Sequence, residues 1–291
     1  MLKIRHYAKP QTVSSNFSKP TEMTEEQILK AISKSGYLFE SEISKFLADN
    51  GFFVESNVIF QDPITTKNRE IDIVAETYNG FSSGDFDRVS CKIRYYFELK
   101  NNDFPLVLLT KLQFNPNTPE DIFKEVLTVP SGIKYDSYSA FTEKLYDHNQ
   151  NFYTQYCSFS KKKDNEIMAS HPDELYSSLS KLCWYCEKRT TETNELFEEM
   201  TNEYFRHWLD LPVLLLSNDL YELNVDEDNN PKLEKVKYSR LLLNFHYNDT
   251  PTSTVIYVVT KDNLKDWLLE MEKLENSVRT QMKESKIKQT I

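Results

Sequence analysis

Glu98-Leu99-Lys100 closes the apolar run Ile93-Arg94-Tyr95-Tyr96-Phe97, and Asp72 lies upstream in Arg69-Glu70-Ile71-Asp72-Ile73-Val74. Residues two apart on a strand share a face, so Glu98 and Lys100 point one way while Phe97 and Leu99 pack the other. A carboxylate and an ammonium are thereby held side by side. With Asp72 supplied by a neighbouring strand, two carboxylates and a lysine converge on one point, an arrangement suited to Mg²⁺ and a scissile phosphate. Alone, Glu-x-Lys on a strand is commonplace and most often a surface ion pair contributing ~0–1 kcal/mol.

The elements that would position these groups can be read from the flanking sequence. Thr24, with Gln27 three residues on, starts a helix carrying Ile28, Leu29 and Ile32. Tyr37 to Asp49 places Leu38, Phe39, Ile43, Phe46 and Leu47 at helical spacing and stops at Asn50-Gly51. Three extended segments follow, Phe52 to Phe60, Glu70 to Glu76 and Lys92 to Lys100, the last two separated by a turn region at Gly80, Ser82, Ser83 and Gly84. Leu106 to Leu109 is a further strand. Residues 119–129 and 138–210 read as mostly helical, with a basic break at Ser158–Asp164. Pro212 to Ser217 has the unbroken apolar character of a strand buried on both faces, Tyr238 to Phe245 and Thr254 to Thr260 are two more strands, and an amphipathic helix runs from Asn263 to about Lys273. The expected organisation is a polar arm over 1–24 and one elaborated α/β domain over 25–291, with a helical insertion at about 119–210 and additional strands over 211–291 that complete the sheet.

Gly36-Tyr37-Leu38-Phe39-Glu40, Ile43, Phe46-Leu47, Gly51-Phe52, Glu70-Ile71-Asp72 and Phe97-Glu98-Leu99-Lys100, in that order over residues 28–110, resemble the PD-(D/E)XK nuclease superfamily, in particular restriction-endonuclease-like members with a Mrr-type core. The resemblance implies a mixed β-sheet flanked by helices. It assigns Glu40, Asp72, Glu98 and Lys100 to catalysis, with Mg²⁺ (or Mn²⁺ in its place) held by Asp72, Glu98, the Leu99 carbonyl and, directly or through water, Glu40. It implies an endonuclease acting on DNA, as a homodimer or with a partner protein, in defence against foreign DNA. Glu42 is close enough in sequence to compete with Glu40 for its role. The stretch Asn79 to Arg88 departs from the family pattern by lengthening the connection between Asp72 and Glu98. A catalytically inactive or partner-dependent nucleic-acid-binding module would carry the same fold, and a structural protein would keep these residues as surface ion pairs.

A net charge of −10 argues against a protein that coats nucleic acid non-specifically, yet leaves room for a local basic stripe beside a carboxylate site. None of the five glycines forms a phosphate-binding loop. No apolar stretch approaches bilayer length and the first residues lack a secretory pattern, so a cytoplasmic protein is expected, with no membrane partner. Cys91, Cys157, Cys183 and Cys186 read as reduced thiols. The Cys183-x-x-Cys186 pair could in principle join Cys157, His171 or His207 around zinc, but within a helix such cysteines usually pack as small hydrophobes. Lys161, Lys162 and Lys163, beside Tyr153, Gln155 and Tyr156, form a second candidate nucleic-acid-binding face; a solvated loop is the plainer reading. Lys283, Lys286 and Lys288 in the tail invite the same reading.

Overall fold

The computed structural model describes residues 23–77, 89–112, 122–135, 141–146, 151–171, 173–199 and 204–287. The turn region at Gly80 to Gly84, all of Asn79 to Arg88, the arm before residue 23, and Lys288 lie outside the described residues. Helices α1 (Glu25–Ser35) and α2 (Tyr37–Asp49) are followed by β1 (Phe52–Gln61), β2 (Asn68–Thr77), β3 (Val89–Lys100) and β4 (Leu106–Lys111). Then come β5 (Lys124–Thr128), α3 (Phe141–Leu145), β6 (Tyr153–Lys161), β7 (Ile167–Ser170) and α4 (Asp173–Glu199). The chain finishes with β8 (Phe205–Leu216), β9 (Leu220–Val225), β10 (Pro231–Val236), β11 (Tyr238–Tyr247), β12 (Thr250–Thr260), a short 3₁₀ turn and α5 (Leu264–Ile287).

Local chemistry sets the first helices as expected. Thr24 Oγ1 accepts from the Gln27 N–H and the Gln27 side chain accepts from the Thr24 N–H, a complete capping box. α2 ends at Asn50, and Gly51 takes φ +85°, a conformation glycine adopts at no steric cost. The strands form a mixed sheet in the order β1-β2-β3-β8-β12-β11-β6-β4-β9-β10, with β5 beside β8 and β7 beside β6. β1-β2-β3 is an antiparallel meander, and β8 returns parallel to β3 across its whole length. Pro212, with no N–H to give, falls where β8 changes its second neighbour from β5 (through Asp210) to β12 (from Val213).

The interior strands are buried on both faces, and alternation divides their side chains between two cores. Tyr95, Phe97, Leu99, Val213, Leu215, Tyr257 and Val259 meet Phe39, Ile43 and Leu47 of α2 and Trp267, Leu268 and Met271 of α5. Tyr96, Leu214, Leu216, Ile256 and Val258 meet Leu175, Leu179, Leu182, Cys183 and Cys186 of α4. α4 thus covers one face while α2 and α5 cover the other, giving a mixed α/β architecture of three layers.

The expected helical insertion is corrected. Residues 124–128, 153–161 and 167–170 are strands, and the helical content of 119–210 that the structure describes is α3 and α4. β5 is five residues long and owes its conformation to pairing with β8, about eighty positions later, a constraint no local propensity registers. β8 starts at Phe205, earlier than its apolar end suggests; β9 and β10 add a hairpin; and α5 continues to Ile287, taking Lys283 and Lys286 into the helix. Among the described residues no helix is long and apolar enough to cross a membrane.

Candidate active site

The β1-β2 hairpin changes face at the point where Asp72 lies. Phe52, Val54, Ile73 and Ala75 pack toward α2 and α5, whereas Val58, Phe60 and Ile71 pack toward α4. Ile71 and Ile73 would share a face in a regular strand. The switch is centred on Asn57, opposite Asp72 in the register, whose backbone takes φ +57°, a left-handed conformation asparagine tolerates better than most residues. Pairing between β2 and β3 covers Ile73↔Phe97 to Glu76↔Arg94 and goes no further. Beyond it the Asp72 carboxylate takes the place of a backbone acceptor: Leu99 N–H donates to Asp72 Oδ2 at 2.7 Å.

Glu98 projects from β3 on the same face as Tyr96 and is 2% exposed, so it is no surface ion-pair partner. Lys100 Nζ donates to Glu98 Oε1 at 2.8 Å, across the two-residue spacing anticipated on a strand. The other oxygen meets a residue that the sequence did not single out. Lys181 Nζ, from α4, lies 2.5 Å from Glu98 Oε2 and 3.9 Å from Asp72 Oδ1. One ammonium therefore touches both carboxylates. The Lys181–Glu98 contact is ionic without hydrogen-bond alignment, which leaves the buried Oε2 with no hydrogen-bond partner.

Electrostatics mark the site as costly to the fold. Burial, and then the nearby Glu98 charge, push the Asp72 carboxyl up to about 6, against the opposing pull of the Leu99 N–H and the two lysines. Glu40, in the first turn of α2, is raised by burial and by the charges of Glu70 and Glu98, and lowered by Lys100 and Lys181. These couplings bring Glu40 into the same electrostatic neighbourhood. Glu42 is turned elsewhere and pairs with Lys261 at 2.6 Å.

Mg²⁺ binds hard oxygen donors and commonly uses one or two carboxylates, leaving its other positions to water and phosphate. Asp72 and Glu98 fit that donor set: they share one cation already, and Glu98 Oε2 is a buried oxygen held by charge alone. Among the described residues no three His, Cys, Asp or Glu side chains make a ready-made metal cage. What fits is therefore a two-carboxylate site, with Glu40 near enough to be felt electrostatically.

The other candidates lie apart. Lys161 ends β6 and Lys162 and Lys163 occupy the β6–β7 turn, with Lys162 3.6 Å from Glu166. Four strand spacings of ~4.8 Å separate β6 from β3, about 19 Å across the sheet. The proposed aromatic platform beside them is corrected: Tyr153 and Tyr156 are buried core side chains and offer no exposed stacking face. Cys183 and Cys186 are fully buried on α4, their thiols raised by burial, while Cys157 is on β6. His207 is enclosed by Glu125 and Tyr135, and His171 packs on the Tyr156 ring. The proposed zinc ligands are thus distributed among separate contacts.

In the sequence Lys181 is only a lysine next to the apolar residues Leu175, Leu179, Leu182, Cys183 and Cys186. That pattern says nothing of a carboxylate across the interface. Comparison of the chain with protein-family models, curated proteins and solved structures finds no match.

Proposed function

We propose that the protein is a metal-dependent nuclease of the restriction-endonuclease-like type that hydrolyses phosphodiester bonds in DNA. The observation that carries this reading is the shared Lys181 contact: Asp72 and Glu98, from adjacent strands, lie on one ammonium, with Lys100 on the remaining Glu98 oxygen. The order of elements supports it as well, since a glutamate-bearing helix precedes a meander, and α4 leads to a strand parallel to β3.

Asp72 and Glu98 would hold Mg²⁺, aided by the Leu99 carbonyl and by Glu40 directly or through water. When bound, that ion supplies Lewis-acid neutralisation of the phosphoryl oxygens. Lys100 orients the attacking water, favours its deprotonated form and stabilises charge developing on the phosphoryl group. Lys181 brings a second positive charge to the same point, where a scissile phosphate would benefit from it. The Leu99 N–H bond fixes the Asp72 carboxylate before substrate arrives, so little reorganisation is left for the reaction itself. The same reading puts the protein in the cytoplasm, where its cysteines stay reduced and foreign DNA is the target.

The deciding assay incubates the full chain with Mg²⁺ or Mn²⁺ and duplex or single-stranded DNA, with RNA in parallel. Metal-dependent cleavage that disappears in folded Asp72→Ala, Glu98→Ala and Lys100→Ala proteins is the expected result. Full activity in all three variants would sink the assignment. A second reading, a binding module without turnover, draws on Lys181 occupying the point between the two carboxylates; it is recognised by nucleic-acid binding with no cleavage under any divalent metal.

A further inference from the structure

Next to the site along the sheet lies a groove with a different character. α4 runs antiparallel to β3: Lys181 meets Glu98, Tyr185 stacks edge-on to Tyr96 with ring centroids 5.0 Å apart, and Thr193 meets Arg94. One step from the carboxylates on each element, Asp72 to Val74, Glu98 to Tyr96 and Lys181 to Tyr185, leads into a cavity of about 340 Å³ between β1 and α4. Each step covers roughly 6–7 Å, the reach of one nucleotide in an extended strand.

Tyr96, Val74, Phe60 and Tyr185 form the floor and inner wall, and Phe53 and Ile59 stand at the mouth, 53% and 68% exposed. Apart from Glu55 at the mouth, the charged side chains lining the groove have partners. Arg94 is held by Asp210 and Thr193, Glu76 takes Lys92 at 2.6 Å, and Glu192 meets Arg189 at 2.8 Å and Lys188 at 3.7 Å. Carboxylates interleaved with cations disfavour a phosphate inside the groove. They suit instead a flat, neutral heteroaromatic group carrying both donors and acceptors, with the exposed Phe53 ring at the mouth to stack on. Lys188 and Arg189, 39% and 40% exposed, stand at the rim, where a backbone would pass.

Resting on the nuclease reading, we propose that this groove is a nucleobase subsite for the nucleotide next to the scissile phosphate, making single-stranded or unpaired nucleic acid the substrate class. A paired base cannot enter such a groove without being extruded from its stack, whereas an unpaired one enters freely.

The test uses the full chain carrying Lys100→Met, to suppress turnover, in Mg²⁺, titrated with a short single-stranded oligonucleotide bearing one fluorescent aminopurine and with the same sequence as duplex. The single strand should bind at least about tenfold more tightly, with quenching of the probe on stacking. Phe53→Ala removes an exposed ring without disturbing the core. It should weaken single-strand binding about tenfold and duplex binding less than about twofold, and an abasic position next to the scissile phosphate should reproduce that loss. Val74→Phe, which fills the floor, should act in the same direction. Equal affinity for the two forms, or no effect of Phe53→Ala and of the abasic substitution, overturns the subsite. If the wild-type chain still cleaves duplex DNA with Mg²⁺ in that case, the nuclease assignment stands without the groove; cleavage of neither form removes both.

Discussion

Strand β3 carries two buried charge clusters on one face, and they are built to opposite ends. Arg94 and Tyr96 serve the first, where each Asp210 oxygen accepts twice: Oδ1 from Arg94 Nε and Tyr96 Oη at 2.6 Å each, Oδ2 from Arg94 at 2.6 Å and Thr190 at 2.8 Å. Glu98 and Lys100 serve the second, where two carboxylates lie on one ammonium and one Glu98 oxygen has no hydrogen bond. The first cluster has nothing left to bind. Burial there is compensated by donors in good geometry, the condition under which a buried ion pair is tolerated. The second keeps like charges together, and its Asp72 carboxyl is displaced to about 6. Structural ion-pair networks and ligand sites both carry such strain, and the metal site proposed above would account for it here.

The contrast can be broken most severely at the second cluster's chemistry. Asp72→Ala or Glu98→Ala should reduce metal-dependent cleavage by about a hundredfold or more while leaving a folded protein by circular dichroism. At the first cluster the outcome should be the reverse in kind: Asp210→Ala strands a buried Arg94 and should cost about 3–5 kcal/mol in chemical denaturation. Asp72→Asn tests the sign of the difference. The folded-state value near 6 lies above the ordinary carboxyl value, so this group's contribution to stability is full below about pH 4 and lost as pH rises through 6. Metal-free Asp72→Asn should therefore be more stable than wild type by on the order of 2 kcal/mol at pH 8 and about equal to it at pH 4. A smaller effect is expected at the shared ammonium. Lys181→Met should tighten Mg²⁺ binding, read by calorimetry, by about tenfold, because metal and ammonium compete for the same oxygens. Weakened binding would show that Lys181 supports the carboxylates instead. Alanine at Lys161, Lys162 and Lys163 together should alter cleavage less than about twofold, as befits exposed lysines across the sheet.

Much of the candidate site was legible because its chemistry is local. Glu98 and Lys100 share a face through strand geometry alone, and the burial of Phe97 and Leu99 on the other face follows from the same alternation. Glu40 could be placed on a helix, though that Glu42 pairs with Lys261 could not be read from the sequence. The stretch before α4 misled because aromatic-rich segments such as Tyr153 to Lys161 have no clean period. Tyr153 to Cys157 owe their strand conformation to β4 and β11, far away in sequence, and only Ser158 to Lys161 pair with the nearby β7.

The sequence by itself determined the capping box at Thr24, the stop at Asn50-Gly51, the three-strand meander and the order of Glu40, Asp72, Glu98 and Lys100. Each depends on side-chain chemistry or periodicity within a few residues. Only the tertiary structure decided that β2 leaves β3 at Asp72, that Lys181 lies between the two carboxylates, and that Asp210 closes the neighbouring cluster. The first rests on Leu99 and Asp72, 27 positions apart, and the other two on the packing of α4 and β8 against β3, contacts between residues about eighty to one hundred and sixteen positions apart. No local pattern carries such information, because the energy that fixes it arises only when the layers meet.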